Sequence, residues 1–157
     1  MRRIGELQRG PRSRVGGGPL SLPIIEVDRP RSYPPRVSAF TQRFWGALQE
    51  GRFETTRCTA CERLTFPPKP FCPHCWSRNI SWTPLSGRGK LYSQSVIHAA
   101  PAVFRAEAPY RVGIVDLDDG LRIATRILCE TPPELDSPVE IIVFRYADGP
   151  LFGARPL

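Results

Sequence analysis

Four of the five cysteines, Cys58, Cys61, Cys72 and Cys75, stand as two Cys-x-x-Cys pairs separated by ten residues in CTACERLTFPPKPFCPHC. A Cys-x-x-Cys turn aims two thiolates at one point. Two such turns facing each other supply the sulfurs of a tetrahedral site, at about 2.3 Å from a zinc ion. The spacing predicts a zinc ribbon. Four protein ligands close the coordination shell and leave no position for water, so the chemistry expected of this site is structural. Iron in the same cage is the weaker alternative, because composition does not separate the two metals. A redox pair would need one Cys-x-x-Cys opening a helix in an α/β unit, which the surrounding sequence does not offer. His74 lies between two of the ligands and reads as a surface residue, since four cysteines already suffice.

Other chemistry is sparse. Cys129 ends one apolar run and His98 another, so a Cys–His dyad is conceivable, but a lone buried thiol is the commoner fate of such a cysteine. Gly87-Arg88-Gly89-Lys90 lacks the spacing and the Ser or Thr of a phosphate-binding loop. Asp118-Asp119 falls in a turn, where solvated carboxylates are expected. No nucleophile, base and oxyanion site assemble in the sequence.

The elements that must position the cysteines follow from periodicity. In SAFTQRFWGALQEG, Phe40, Phe44 and Leu48 recur every four residues and Trp45 widens the stripe, which predicts a helix capped at Ser38 and stopped at Gly51. One short helix cannot bury that stripe alone, so residues 37–52 are expected either to pack on the following domain or to dock on a partner chain. Residues 53–84 form the ribbon. Alternating runs at 90–98, 110–117, 121–129, 139–147 and 151–155, with glycine-bearing turns and one long connection over 98–109, predict a mainly β C-terminal domain. Its expected form is a five-stranded OB-fold barrel over 85–157. Residues 1–36, rich in Arg, Gly, Pro and Ser, are expected to form a disordered or extended basic arm.

The net charge of +7 raises the question of nucleic acid. Residues 1–57 hold 11 Arg against 5 acidic residues, whereas residues 58–157 hold 11 basic and 10 acidic residues. The basic character therefore belongs to the N-terminal region, which sets a nucleic-acid-binding module in second place. No run of about 18 apolar residues predicts a membrane span. The N-terminus has arginines but no apolar segment behind them, so a cytoplasmic location is expected.

Taken together, Phe44-Trp45, Leu48 and Gly51, then Cys58 to Cys75 with Phe66-Pro67-Pro68, then Trp82, Gly87-Arg88-Gly89, Tyr92 and Ser93 resemble the Zn-ribbon/OB-fold family known as domain of unknown function thirty-five. Pro109-Tyr110, Val115, Leu117-Asp118 and Gly120-Leu121-Arg122 extend the resemblance, which covers residues 38–157. It implies a rubredoxin-like ribbon followed by an OB fold. It also implies a non-catalytic accessory subunit in a hetero-oligomer with a thiolase-like partner acting on acyl-CoA thioesters, whether as thiolase, acyltransferase or retro-aldolase. In such a complex this chain helps to bind CoA or the acyl chain. Arg88, Lys90, Phe104 and Arg105 are the candidate CoA or substrate contacts. Phe40, Phe44, Trp45 and Leu48 are the candidate docking residues.

Overall fold

The computed structural model describes residues 21–157. Strand β1 (Ile24–Val27) precedes helix α1 (Gln42–Gln49), and a small antiparallel sheet follows from β2 (Glu54–Cys58), β3 (Leu64–Thr65) and β4 (Ile80–Pro84), in the order β3-β2-β4. The second sheet contains β5 (Arg88–Ile97), β6 (Tyr110–Leu117), β7 (Arg122–Arg126), β8 (Pro138–Tyr146) and β9 (Gly149–Pro156), with a short 3-10 helix over Ala102–Glu107 between β5 and β6.

Helix α1 ends as the sequence expects. Gly51 takes φ +79°, its N–H donates to the Leu48 carbonyl at 2.9 Å, and the Arg52 N–H reaches back to the Ala47 carbonyl at 2.9 Å. This pair of bonds satisfies carbonyls that a helix end leaves free, and the left-handed backbone it needs is one that glycine adopts without strain. At the other end the Ser38 hydroxyl accepts from the Thr41 N–H at 3.1 Å, while the Thr41 hydroxyl accepts from the Ser38 N–H at 2.9 Å.

Strands β5, β6 and β7 form a meander, β8 pairs antiparallel with the start of β5, and β9 returns along β8. The seam between β7 and β9 is a single parallel bridge, Ile127 with Ala154, reinforced by the Leu128 N–H on the Ala154 carbonyl at 2.8 Å. This is the strand order of a partly open OB barrel. Gly89 is a steric requirement of that barrel: a Cβ there would stand 2.2 Å from the Asp116 carbonyl oxygen on β6. The Gly-Arg-Gly signature is thus explained by strand packing, without any phosphate.

Two expectations are corrected. The basic arm was expected over residues 1–36; residues 1–20 lie outside the described part, but from Ser21 onward the segment is built into the fold. Strand β1 runs parallel to β8 over Val143–Tyr146, the half of β8 that β5 does not cover, and Leu22 and Val27 are buried. The apolar patch LSLPIIEV finds its partner on β8, where the Val143 N–H donates to the Pro23 carbonyl at 2.9 Å and Leu22 joins the buried core. The candidate docking stripe is also redirected. Phe44 and Leu48 are 3% and 0% exposed, so they face inward. Phe44 meets Phe53, Phe66 and Phe152, from the ribbon side and the barrel, with ring centroids 5.9–6.3 Å apart. The intrachain core takes the stripe because helix, ribbon and barrel each present an aromatic face that none can bury alone. Trp45 and Phe40 remain half-buried, and Phe40 lies against Trp82 at 5.3 Å.

Candidate metal centre and cleft

The four ribbon cysteines converge. Cys58 ends β2, Cys61 follows in the turn, and Cys72 and Cys75 occupy the second turn before β4. Their sulfurs all lie within 4.8 Å of one another, with Cys58–Cys75 at 3.6 Å and Cys61–Cys72 at 3.5 Å. Four sulfurs set about 2.3 Å from a common tetrahedral centre stand roughly 3.8 Å apart, so the cage fits a metal ion of that radius. In each turn backbone N–H groups point at the first sulfur: Cys61 and Ala60 donate to Cys58 Sγ at 3.4 Å, and His74 donates to Cys72 Sγ at 3.4 Å. The Cys61 N–H is the largest influence lowering the Cys58 thiol to about 6. Cys75 goes the other way, to about 12: the Ser77 N–H lowers it, but desolvation and the three neighbouring thiols together outweigh that. Four sulfurs this close cannot all ionise without a cation among them, and a bound metal supplies it.

His74 is exposed and its Nδ1 lies 3.3 Å from Arg63 Nη1, away from a ligand role. The stacked pair Phe71 and Trp76, 5.8 Å apart and nearly parallel at 6°, flanks the second cysteine turn, with Trp76 75% exposed. Trp76 takes φ +61°, and its ring stacks on Phe71 without being buried against the barrel.

The barrel carries a cleft of about 1040 Å³, bounded by the 98–109 connection, the starts of β6 and β9, the end of β8, the residues after β7, and the segment Arg29–Tyr33. Arg126 organises it. Its guanidinium lies 4.1 Å from the Tyr110 ring centroid and 5.2 Å from that of Phe104, and it pairs with Glu107. Glu107 also accepts from the Ser32 hydroxyl and faces Arg29 at 3.6 Å. Burial opposes ionisation of Glu107, but the Ser32 and Arg126 donors outweigh it and hold the carboxyl below its usual range. Cys129 lines the cleft, half-buried, while His98 is exposed and outside the lining.

The four candidate CoA contacts do not converge. Phe104 is in the cleft wall, Arg105 beside it is exposed and outside the lining, and Arg88 and Lys90 are exposed at the start of β5. Val96, the β5 residue that lines the cleft, is eight positions from Arg88, roughly 26 Å along a strand at about 3.3 Å per residue. Glu107, Arg126 and Arg29 were not singled out by sequence reasoning; the one available signal was the length of the 98–109 connection. Asp119, expected to be solvated, instead accepts from the Ser86 hydroxyl at 2.7 Å and ties the β6–β7 turn to the joint between ribbon and barrel.

Among the described residues no helix is long and apolar enough to cross a membrane. Two family models match the chain: the ChsH2 rubredoxin-like zinc ribbon domain at residues 45–81 and the ChsH2 C-terminal OB-fold domain at residues 82–145. The chain is 33% identical over 115 residues to a probable enoyl-CoA hydratase alpha subunit of Thermomonospora curvata, covering 73% of this chain and 35% of that one. It is 41% identical over 96 residues to the benzoylsuccinyl-CoA thiolase subunit BbsA of Thauera aromatica, covering 59% of this chain and 65% of that one. The chain thus spans about a third of the first protein and just under two thirds of the second. Among solved structures, a chain of the Ltp2-ChsH2(DUF35) aldolase superposes with a TM-score of 0.68 at 31% identity, covering 78% of this chain and 98% of that one. With both domains matched in order and the four ribbon cysteines brought to one point, the chain belongs to the DUF35 family of zinc-ribbon and OB-fold proteins.

Proposed function

We propose that this chain is the non-catalytic subunit of a cytoplasmic hetero-oligomer in which a thiolase-fold partner acts on acyl-CoA thioesters. The observation that carries this reading is the 41% identity with a protein named as a thiolase subunit. The closed sulfur cage agrees with it, since four protein ligands hold a metal for structure and offer substrate no open position. The metal is zinc in this reading, held by Cys58, Cys61, Cys72 and Cys75, with iron the alternative that the same cage admits. Metal analysis of purified protein and the visible absorption of an iron–thiolate centre separate the two.

The candidate contacts divide between two roles. Arg88 and Lys90 on β5 suit the phosphates of CoA, as guanidinium and ammonium groups suit phosphate oxygens. Phe104 belongs to the cleft wall, with Arg105 exposed beside it in sequence. Docking rests less on α1 than its stripe suggests, because Phe44 and Leu48 are committed to the core and only Phe40 and Trp45 retain exposed area.

The test is purification of the tagged chain from its own cells, identification of what accompanies it, and assay of acyl-CoA turnover by each component and by the mixture. A thiolase-fold protein that copurifies, with turnover only in its presence, is the expected result. Turnover by the purified single chain would overturn the accessory role. The rival reading, a nucleic-acid-binding module, is favoured by the position of the cleft, since OB barrels bind oligonucleotides near the loop that joins their first two strands. Salt-sensitive binding of single-stranded DNA without affinity for any thiolase would select it.

A further inference from the structure

We infer that the cleft is a binding site for a ligand with an apolar, ring-containing body and a carboxyl-derived head, of the class that an aromatic carboxylic acid and its thioester share. That a ligand site exists here does not depend on the accessory-subunit reading; the carboxyl-derived head group rests on it.

The walls explain the body. Tyr33, Phe104 and Tyr110 form one aromatic run, with successive centroids 6.4 and 6.3 Å apart in edge-to-face contact. Phe144 and Tyr146, 6.5 Å apart on β8, line the same cleft. Ile127, Leu128 and Leu151 add aliphatic surface. Flat rings interact with such walls through offset and edge-to-face geometry, which an unbranched chain cannot exploit. The volume, about 1040 Å³, is at the upper end of the range that ligand clefts occupy.

The charges explain the head. Three guanidinium groups line the cleft, from Arg29, Arg111 and Arg126, against the single carboxylate of Glu107. Arg126 is neutralised by Glu107 and held between two rings. Among the described residues, Arg111 donates only to a neutral amide oxygen, Gln94 Oε1, at 3.0 Å. The lining therefore carries more positive than negative charge beside an apolar surface, which suits an anion on a greasy body.

The cleft also has a wall of its own making. Arg29, Ser32 and Tyr33 come from the segment after β1, which precedes the part of the chain matched by the family models. Arg31 fixes that segment on the β8–β9 turn: its N–H donates to the Asp148 carboxylate at 2.8 Å, and its guanidinium faces the same group.

The metal-loaded full chain is titrated calorimetrically with 2-naphthoate, 2-naphthoyl-CoA, octanoate, free CoA and a single-stranded oligodeoxythymidine. In parallel, alkylation of Cys129, which lines the cleft, is followed under each ligand. The expected result is binding of naphthoate and its thioester with protection of Cys129, and no protection by free CoA. Phe104→Ala should weaken both ligands about tenfold, the loss of one well-packed ring, with metal content and melting temperature retained. Phe104 lies on the connecting loop and is not part of the buried core, so this variant keeps the test sound even if Tyr110→Ala fails to fold. Arg111→Gln should weaken the free acid more than the uncharged thioester carbonyl. Absence of naphthoate binding overturns the inference, as does equal protection by octanoate, or displacement of naphthoate by the oligonucleotide. A chain that binds naphthoate yet assembles with no thiolase keeps the cleft site and sinks the accessory role; a chain that assembles but ignores naphthoate does the reverse.

Discussion

Phe44 and Phe152 meet edge to face, 6.3 Å apart and perpendicular, where helix α1 lies against strand β9 of the barrel. Phe53 and Phe66 complete the cluster from the ribbon side, 5.5 Å from each other, each within 6 Å of Phe152. One aromatic core therefore joins three segments that the sequence presents as separate. Phe44→Ala is expected to destabilise the chain by about 3–5 kcal/mol, the usual cost of removing a buried phenylalanine. Chemical denaturation should show one lowered transition. An unchanged midpoint with lost partner binding would instead return Phe44 to a docking role.

The same core couples the metal to the barrel. The sheet β3-β2-β4 carries the cysteines in and beside its turns, and Leu64 and Phe66 between them pack on the buried cluster. Structural zinc contributes on the order of 10 kcal/mol in isolated ribbon-type peptides. Chelation, or Cys72→Ser, should therefore lower the melting temperature of the whole chain and release one metal ion per chain. Hydrogen exchange should show protection lost first across residues 54–84. A barrel that melts unchanged without metal would show that the two parts are energetically independent.

Removal of residues 21–34 is expected to be costly. Leu22 and Val27 are buried, the Leu22 N–H donates to the Gly51 carbonyl at 2.8 Å, and Arg145 pairs with Glu26 at 2.7 Å. Burying two such aliphatic side chains contributes about 1.5–3 kcal/mol each. Deletion also uncovers one edge of β8 at Val143–Tyr146, which stays paired with β9 on the other side, and an exposed strand edge invites aggregation. Thermal melts and light scattering of chains beginning at residue 21 and at residue 35 make the comparison. Equal stability of the two would mean that β1 is dispensable.

The metal site was legible because its information is local: two Cys-x-x-Cys turns carry their own geometry, and the sulfurs converge within 4.8 Å as the spacing requires. The barrel strands were legible because alternation and turn residues are also local, as with the β6–β7 turn at Gly120, where φ is +85°. What escaped depends on distant partners. The β1 segment reads as part of a tail because its four residues acquire meaning only beside β8, more than a hundred positions later. The inward turn of Phe44 depends on Phe66 and Phe152, and the cleft on Arg126 meeting Glu107 and Ser32. Nothing in the sequence near any one of these residues names the others.

Acidification should loosen the Arg29–Tyr33 segment through Glu107. Its carboxylate accepts from Ser32 and Arg126 and faces Arg29; Tyr146, whose phenol is pushed up by burial, stays neutral across this range. The folded carboxyl therefore titrates below its ordinary value of 4.5. A depressed folded value means that the ionised group contributes stability in full above the unfolded value, and that this contribution is lost as pH falls through the folded one. Protonation weakens the acceptor for the Ser32 hydroxyl, removes the charge that Arg29 faces, and leaves the Arg126 guanidinium unneutralised against the rings of Tyr110 and Phe104. The stability difference between the parent chain and Glu107→Gln should thus be largest near neutral pH and shrink as pH falls below the ordinary carboxylate range, while other carboxylates titrate alike in both. Alkylation of Cys129 provides a local readout, because the cleft that shelters it is walled by the same segment. Its rate should rise on acidification, after correction for thiolate fraction, in the parent chain but not in Glu107→Gln, where the ion pair is already absent. A pH-independent difference between the two proteins would show that Glu107 acts here only by its shape.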